Sequence, residues 1–429
     1  MQLVLGPISN RIAVETGFTQ RESKVSGSVF MQTLVFSSLE NPNWCYSDLV
    51  AGAMNAGVKV TKQGLEQRFS VYSVELARRV LEIAVGMVIG TKETAIPLLE
   101  RFKGVYIRDS STIALPKELE KRWPGSGSSH GSAAGMKLHA RLEVCSGQLA
   151  GPILTPARAH DTSSPYQSEA LPVGALRMGD LGFYSLRQFE TDTQQGVFWL
   201  SRLKSGTLVY DPQGQPFHLL DWLRQQTAVQ FERTILLGQK QQLVCRLLVE
   251  RVPPAVVERR KRKLREYARK KQTPLSAELL ALTEWTLLLT NIPSTLLSIP
   301  EALVLLRVRW QIELLFKRWK SLFQIDEWRS KDCWRILTEL FAKLLSVVIE
   351  QWIQLTGLPW ASHPSFWLAV KVVCRFATSL AIALPSLHDL ERVLLLISLH
   401  LRSHCRLDSR NSRPSIYQLL ENPPCTTLA

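Results

Sequence analysis

Cysteine is scarce in this 429-residue chain: seven in all, scattered and odd in number. No two stand at metal-ligand spacing, which argues against a disulfide framework and a zinc site and points to a reducing compartment. Long apolar runs are missing too. No stretch reaches the roughly 18 unbroken apolar residues of a membrane-spanning helix. The richest candidates, near 336–357 and 366–385, are interrupted by Glu339, Lys343, Glu350, Lys371 and Arg375. The opening MQLVLGPISNR has no basic segment followed by a long apolar core, so no secretory leader is expected and the cytoplasm is the expected location. Internal repeats are absent. Acids are under-represented, 37 Asp+Glu against 52 Lys+Arg, for a net charge of +15. Such a field favours a polyanion, most often nucleic acid; a membrane surface or a merely basic protein satisfies it as well.

What is present is an ordinary globular composition, 45% hydrophobic and 21% charged, in a chain long enough for two or three domains. Residues 1–100 read as a helical domain, with patterned segments near 28–39, 46–56, 62–70 and 73–90. Within it SDLVAGAMNAGVKVTKQGLEQRF (47–69) has the layout of a helix–turn–helix: Gly57 supplies the turn and Thr61 or Lys62 starts the second helix. Plain helical packing explains the same pattern.

From residue 104 the texture becomes β-like. GVYIRDSS (104–111), MKLHARLEV (136–144), LAGPILTP (149–156), ALRMGDLGF (175–183) and GVFWLSRL (196–203) read as strands. The glycine- and serine-rich WPGSGSSHGSAAG (123–135) is a loop, and Ser185-x-x-Gln188 opens a helix with a capping box. This first part of an α/β core spans 101–205. Residues 206–283 read as a β-rich insertion, a small antiparallel sheet leading into the basic helix VVERRKRKLREYARKKQ (256–272). Its Arg259, Arg260, Lys261, Arg262 and Lys263 are candidates for phosphate contact, against the alternative of a solvated charged helix. EWTLLLTN (284–291) reads as a buried strand that resumes the core, which runs to 385, and 386–429 form a helical tail.

The chemistry rests on acids. Asp109 follows the apolar run Val105–Ile107, and Asp180 follows Leu176 and Met178 just before a glycine turn. LLRVRWQIELLFKRWKSL (305–322) reads as one amphiphilic helix. At about 100° per residue, Leu306, Arg309, Lys317 and Lys320 fall within about 40° of Glu313, while Trp310, Ile312, Leu314, Leu315 and Phe316 occupy much of the rest. An ion-paired, solvated ladder accounts for that stripe; so does a cleft-facing row in which Glu313 binds metal and the cations hold phosphates. Three converging carboxylates cannot all stay ionised in a cleft without a positive partner. Oxygen-only ligands suit Mg²⁺ or Mn²⁺, and two such ions serve phosphodiester displacement. His139 and His160 are not needed for this chemistry.

These stretches resemble the DDE transposases of bacterial insertion sequences, specifically the insertion sequence 4-type group. RDSSTIAL, KLHARLEVCSGQL, GDLGFYS, EWTLLLTN, RWQIELLFKRWKSL and SRPSIYQLL carry the likeness in the family's order over roughly 100–420. The third-acid motif, Y-(2)-R-(3)-E-(6)-K, is matched by Arg309, Glu313 and Lys320, but its tyrosine position holds Leu306. The resemblance implies a ribonuclease H-like mixed sheet flanked by helices and interrupted after its fifth strand. It implies Asp109, Asp180 and Glu313 as catalytic residues and ligands of two Mg²⁺ or Mn²⁺ ions, with Arg309 and Lys320 on DNA phosphates. Trp285 takes the place of a tryptophan that stacks on a flipped base in some relatives; a core tryptophan is the competing reading. Also implied are double-stranded DNA partners (the element's inverted-repeat ends and a target), a homodimer in a synaptic complex, and cleavage followed by strand transfer. A nuclease without strand transfer and an inactive DNA-binding copy are the alternatives.

Overall fold

The computed structural model describes residues 1–87, 96–127, 133–357, 365–405, 407 and 414–422. The centre of the glycine-rich loop, 128–132, and the start of SRPSIYQLL lie outside the described residues.

The chain opens with α1 (Ser9–Glu15), α2 (Gly27–Glu40), α3 (Tyr46–Asn55), α4 (Lys62–Glu66), α5 (Val71–Val85) and α6 (Pro97–Glu100). Next come β1 (Val105–Leu115), β2 (Ala134–Glu143), β3 (Leu149–Pro156), β4 (Leu176–Gly179), α7 (Leu186–Gln194) and β5 (Phe198–Arg202). The segment after β5 supplies β6 (Val209–Tyr210), α8 (Leu219–Arg224), β7 (Gln230–Leu237), β8 (Leu243–Arg251), α9 (Pro254–Lys271) and α10 (Ala277–Ala281). Then follow β9 (Trp285–Thr290), α11 (Ile299–Val308), α12 (Trp310–Leu322) and α13 (Cys333–Gly357). The last helices are α14 (Phe366–Arg375), α15 (Ala377–Ala383), α16 (Leu387–His404) and α17 (Ile416–Glu421). The strands hydrogen-bond in the order β3-β2-β1-β4-β5-β9-β8-β7-β6, a mixed sheet in an α/β protein as expected. Packing divides the chain into two compact units: 1–94, 110–159 and 312–408 form one; 95–109, 160–311 and 409–429 form the other.

The first unit is built around α13. Nineteen of its 25 residues are buried, including Glu339, Lys343 and Glu350, the very charges that break up its apolar run. Each has an internal partner. Lys343 Nζ stands 2.8 Å from Glu339 Oε1 and donates to the carbonyls of Gln324 and Glu327. Glu350 accepts from Gln354 Nε2, and burial lifts its carboxyl to about 8 despite the nearby Arg318 charge and that hydrogen bond. A pH dependence follows. The unfolded chain ionises this group near its ordinary value of about 4.3, so between there and about 8 the folded state holds a proton that the unfolded state has released. Stability therefore falls as pH rises through that window. Glu350→Gln should flatten the slope, as read by urea unfolding at pH 5 and pH 8.5.

The helix–turn–helix layout forms where the sequence places it. Gly57 takes a left-handed φ of +81°, and Thr61 Oγ1 caps α4 by accepting from Gly64 N at 3.1 Å. The second helix is five residues, a single turn, because Ser70 already caps α5. Among the described residues no single helix is long and apolar enough to cross a membrane; the 366–385 run breaks at Phe376 into α14 and α15.

In the second unit, β1, β4 and β5 pair in parallel, and β9 joins β5 antiparallel. Thr290 and Asn291 fasten that junction: Thr290 Oγ1 donates to Trp199 O at 2.7 Å, and Asn291 Oδ1 accepts from Trp199 N at 2.9 Å. The inserted segment is not a separate small sheet. β8 pairs with β9 along six residues, and Ile235, Leu237, Leu247 and Val249 share one core with Phe189, Trp199 and Trp285. The alternation along β7 and β8 supplies the apolar face that this core requires.

Candidate active site

The parallel ladder between β1 and β4 pairs Val105 with Leu176, Ile107 with Met178 and Arg108 with Gly179. One step further the register sets Asp109 level with Asp180, whose backbone (φ −75°, ψ 168°) is still extended. Adjacent strands run about 4.8 Å apart, so the register brings the two residues side by side at the carboxyl end of β4, the end where open α/β sheets bind ligands. Asp180 is exposed and Asp109 half-buried. Two acids so placed favour a cation between them or a shared proton. Gly182 in the following turn must stay small: a Cβ there would lie 2.5 Å from Asp161 Oδ2, a third acid that sequence reasoning did not single out.

Beneath this pair lies a second feature the sequence reading missed. Arg108 and Arg177, on one face of the same two strands, are both only 3% exposed. Arg108 donates to Tyr166 O at 3.0 Å and Gln167 O at 2.7 Å. Arg177 reaches Tyr166 O at 3.2 Å and Glu169 O at 2.6 Å, and its Nε lies 2.9 Å from Asp192 Oδ2. Burial, then the Arg177 charge, brings the Arg108 guanidinium down to about 9. Burial also raises the Asp192 carboxyl, with Arg177 opposing. Gly179 makes room for Arg108, since a Cβ there would stand 3.3 Å from its Nε. The signal was available: each strand carries an arginine inside an apolar run shortly before its aspartate.

The helical stretch expected over 305–322 is present but is interrupted in its bonding at one residue, Arg309, which itself keeps helical dihedrals (φ −51°, ψ −31°). α11 ends at Val308, Arg309 forms the junction with a long 3.3 Å bond to Leu305 O, and α12 begins at Trp310. The two units divide at 311/312, so Glu313 belongs to the first and both aspartates to the second. Glu313 is half-buried in the first turn of α12, beside the buried Ile312 and Phe316. Arg309 is 7% exposed. Lys320 donates from Nζ to Thr112 O at 2.9 Å, tying α12 to the later part of β1, the strand that carries Asp109. Among the described residues no group of three or more His, Cys, Asp or Glu side chains is placed to hold a metal ion. The donor set that is on hand, two level carboxylates, nonetheless has the all-oxygen character that hard divalent cations prefer.

Beyond β9 a cavity of about 1040 Å³ opens within the second unit. Arg202, Arg251, Arg259, Arg260 and Arg307 line it against one carboxylate, Glu250, with Trp285 and Leu306 among its apolar walls. Trp285 is 4% exposed, its ring covered by the Arg251 guanidinium at 4.4 Å and edged by Phe231. A base stacking there has to displace Arg251. On α9 the five candidate cations divide. Arg260 turns inward and donates to Thr283 O, Trp285 O and Thr286 Oγ1, while Lys261 faces Glu258 and Glu284. Arg259, Arg262 and Lys263 are exposed. Arg260→Ala should therefore cost about 2 kcal/mol of stability through three lost charged hydrogen bonds. Arg262→Ala and Lys263→Ala should leave unfolding unchanged and each lower the salt slope of DNA binding by about 1. Urea melts and salt titrations of binding check both.

The sequence model of the family described as Transposase DDE domain matches residues 100–349, more than half of the chain. The transposase for insertion sequence element IS231F of Bacillus thuringiensis subsp. israelensis is 28% identical over 365 residues, covering 79% of this chain and 75% of that protein. The transposase for IS1151 of Clostridium perfringens is 26% identical over 377 residues, 81% of this chain and 78% of the relative. The putative transposase InsL for IS186A of Escherichia coli (strain K12) is 28% identical over 233 residues, 51% and 61% of the two chains.

Proposed function

The chain belongs to the family of proteins with a transposase DDE domain, and from that premise we propose that it cuts and joins DNA at the ends of an insertion sequence. The observation that supports this reading most is the level placement of Asp109 and Asp180 on adjacent parallel strands. Asp109, Asp180 and Glu313 are the residues that would hold the cofactor, Mg²⁺ or Mn²⁺, as two ions. When bound, the ions supply water activation and neutralise charge on the phosphodiester.

The chain's own residues do the positioning. Lys320 spends one of its three N–H donors on Thr112 O, leaving two for a phosphate oxygen. Arg309, at the junction of α11 and α12, is assigned to the same backbone. Arg259, Arg262 and Lys263 present an exposed cationic face to duplex DNA, and the net charge of +15 draws the polyanion in. Trp285 stacks on an extruded base only with Arg251 moved aside. We place the reaction in the bacterial cytoplasm, with a homodimer bringing two element ends together. The helical segment 1–100 and the inserted segment 206–283 are the DNA-gripping parts, around a core formed by 101–205 and 284–385 and a tail from 386.

The test is a duplex carrying the element's inverted-repeat ends, incubated with the full chain and Mg²⁺ or Mn²⁺. Nicking at the ends followed by joining to a second duplex is expected. Nicking without joining would reduce the reading to an endonuclease; binding without nicking would leave an inactive DNA-binding copy. Leu306→Tyr, which restores the family's tyrosine, should raise the nicking rate several-fold, and an unchanged rate would remove that residue from the grip on phosphate.

A further inference from the structure

Asp180 lies one residue beyond the strand pairing that aligns it. The ladder between β1 and β4 ends at Arg108 and Gly179, and β4 ends with it. What fixes the aspartate is therefore the turn it opens, Leu181–Phe183, where Phe183 N donates to Asp180 O at 2.9 Å. A second short turn, Asp161–Ser163, packs on that one. Their meeting point is Gly182: a Cβ there would stand 2.5 Å from Asp161 Oδ2, 3.3 Å from its Cγ and 3.4 Å from its Cβ. Gly182 is not among the glycines with a left-handed φ, so conformation alone would permit a side chain. The carboxylate of Asp161 is what forbids one.

The segment 160–167 is itself held in place. His160 Nδ1 accepts from Thr162 N at 3.2 Å, Ser163 Oγ donates to His160 O at 2.6 Å, and Ser164 N donates to Asp161 O at 3.0 Å. At the far end Gln167 Nε2 donates to Phe183 O at 3.3 Å, while Tyr166 O and Gln167 O accept from Arg108, the residue before Asp109. One segment thus meets the Asp180 turn twice, at Gly182 and at Phe183, and is anchored to β1 between.

We propose that Asp161 is a positioning residue for Asp180, its carboxylate bracing the Leu181–Phe183 turn at Gly182. Burial secures the end of that turn: Phe183 is 2% exposed, with the Arg108 guanidinium 5.3 Å over its ring. Leu181 and Gly182 are only half-buried, so the stretch nearest Asp180 leans on the Asp161 contact. A displacement of about 1 Å at a reacting group costs on the order of 10²-fold in rate. Losing a group that orients a metal ligand costs about 10–100-fold in metal affinity or activity. Asp161 is not itself assigned as a ligand. Its Oδ2 lies against the Gly182 backbone, and among the described residues no three acids are placed to hold one ion. The inference rests on the role proposed above for Asp109 and Asp180 toward divalent ions, and adds the residue that steadies one of them.

The test compares full-length wild type with Asp161→Ala, Asp161→Asn, Gly182→Ala and the double variant Asp161→Ala with Gly182→Ala. Mn²⁺ binding without DNA is read by electron paramagnetic resonance of the free ion, beside end nicking, DNA affinity and thermal unfolding. Asp161→Ala should weaken Mn²⁺ binding about tenfold and slow nicking about 10–100-fold, at unchanged unfolding and DNA affinity. Asp161→Asn keeps the shape and an acceptor oxygen and should stay within about threefold of wild type. Gly182→Ala should lose as much as Asp161→Ala. Added to Asp161→Ala it should cost less than about threefold more, because the new methyl group no longer meets a carboxylate. An Asp161→Ala chain with wild-type Mn²⁺ affinity and nicking, or losses that multiply in the double variant, would overturn the inference. Should Asp161→Ala unfold early, Gly182→Ala decides, and wild-type Mn²⁺ affinity there overturns the contact. A wild type that binds Mn²⁺ but never nicks sinks only the catalytic reading. One that nicks no faster than Asp161→Ala sinks only the role of Asp161, and one that binds no Mn²⁺ at millimolar ion sinks both.

Discussion

Asp109→Ala and Asp180→Ala should each lower strand cleavage at the element's ends by on the order of 10³-fold, equivalent to about 4 kcal/mol of lost transition-state stabilisation. Glu313→Gln should do the same, since the amide keeps the shape and removes the charge. The reason lies in where Asp109 and Asp180 stand. Parallel pairing from Val105–Leu176 to Arg108–Gly179 carries the two acids to one level, and neither can be replaced by a neighbour, because the adjacent strand residues point to the other face. DNA binding should survive all three changes, since the exposed cations of α9 are untouched. Removal of divalent ions by chelation should match the loss of cleavage and leave DNA binding in place. Equal cleavage by wild type and all three variants would discard the catalytic assignment.

The second large effect concerns stability and register together. Arg177→Met should destabilise the second unit by about 3–5 kcal/mol, because it strands the Asp192 carboxylate, 0% exposed, without its cation. Asp192→Asn should destabilise as well, since the buried guanidiniums Arg108 and Arg177 lose their counter-charge even though the amide still accepts a hydrogen bond. Urea unfolding followed by tryptophan fluorescence reads this out, Trp199 lying in the same core as α7. A catalytic consequence separates this cluster from simple ballast. Arg108 and Arg177 bind β1 and β4 to the same loop through Tyr166 O, so loosening them lets Asp109 and Asp180 slip out of level. Cleavage by Arg177→Met at temperatures where it remains folded should still fall, whereas a purely structural role would leave it intact.

Much of the architecture was legible because it is written locally. The five early strands follow from short apolar-rich runs bounded by glycine and proline. Thr61 and Ser185 cap helices where their side chains can reach the third N–H. The helical stretch over 305–322 is there, but periodicity, which reports the side of a turn that is apolar, is silent on the interruption in bonding at Arg309. The basic run shows the same limit. Five adjacent cations look alike in sequence, but Arg260 is a clamp on β9 and Arg262 faces water, a difference set by which side of α9 meets the sheet.

The amino-acid order by itself determined the basic field, the succession of the three candidate acids, the membership in a family and the mixed α/β class, because each depends on residue type or short-range spacing. Tertiary structure alone decided that Asp109 stands level with Asp180, that two arginines are buried beneath them and that the inserted strands extend the main sheet. Those depend on the pairing of segments tens of residues apart, where a one-residue slip in register would leave the sequence pattern unchanged and turn every side chain to the other face.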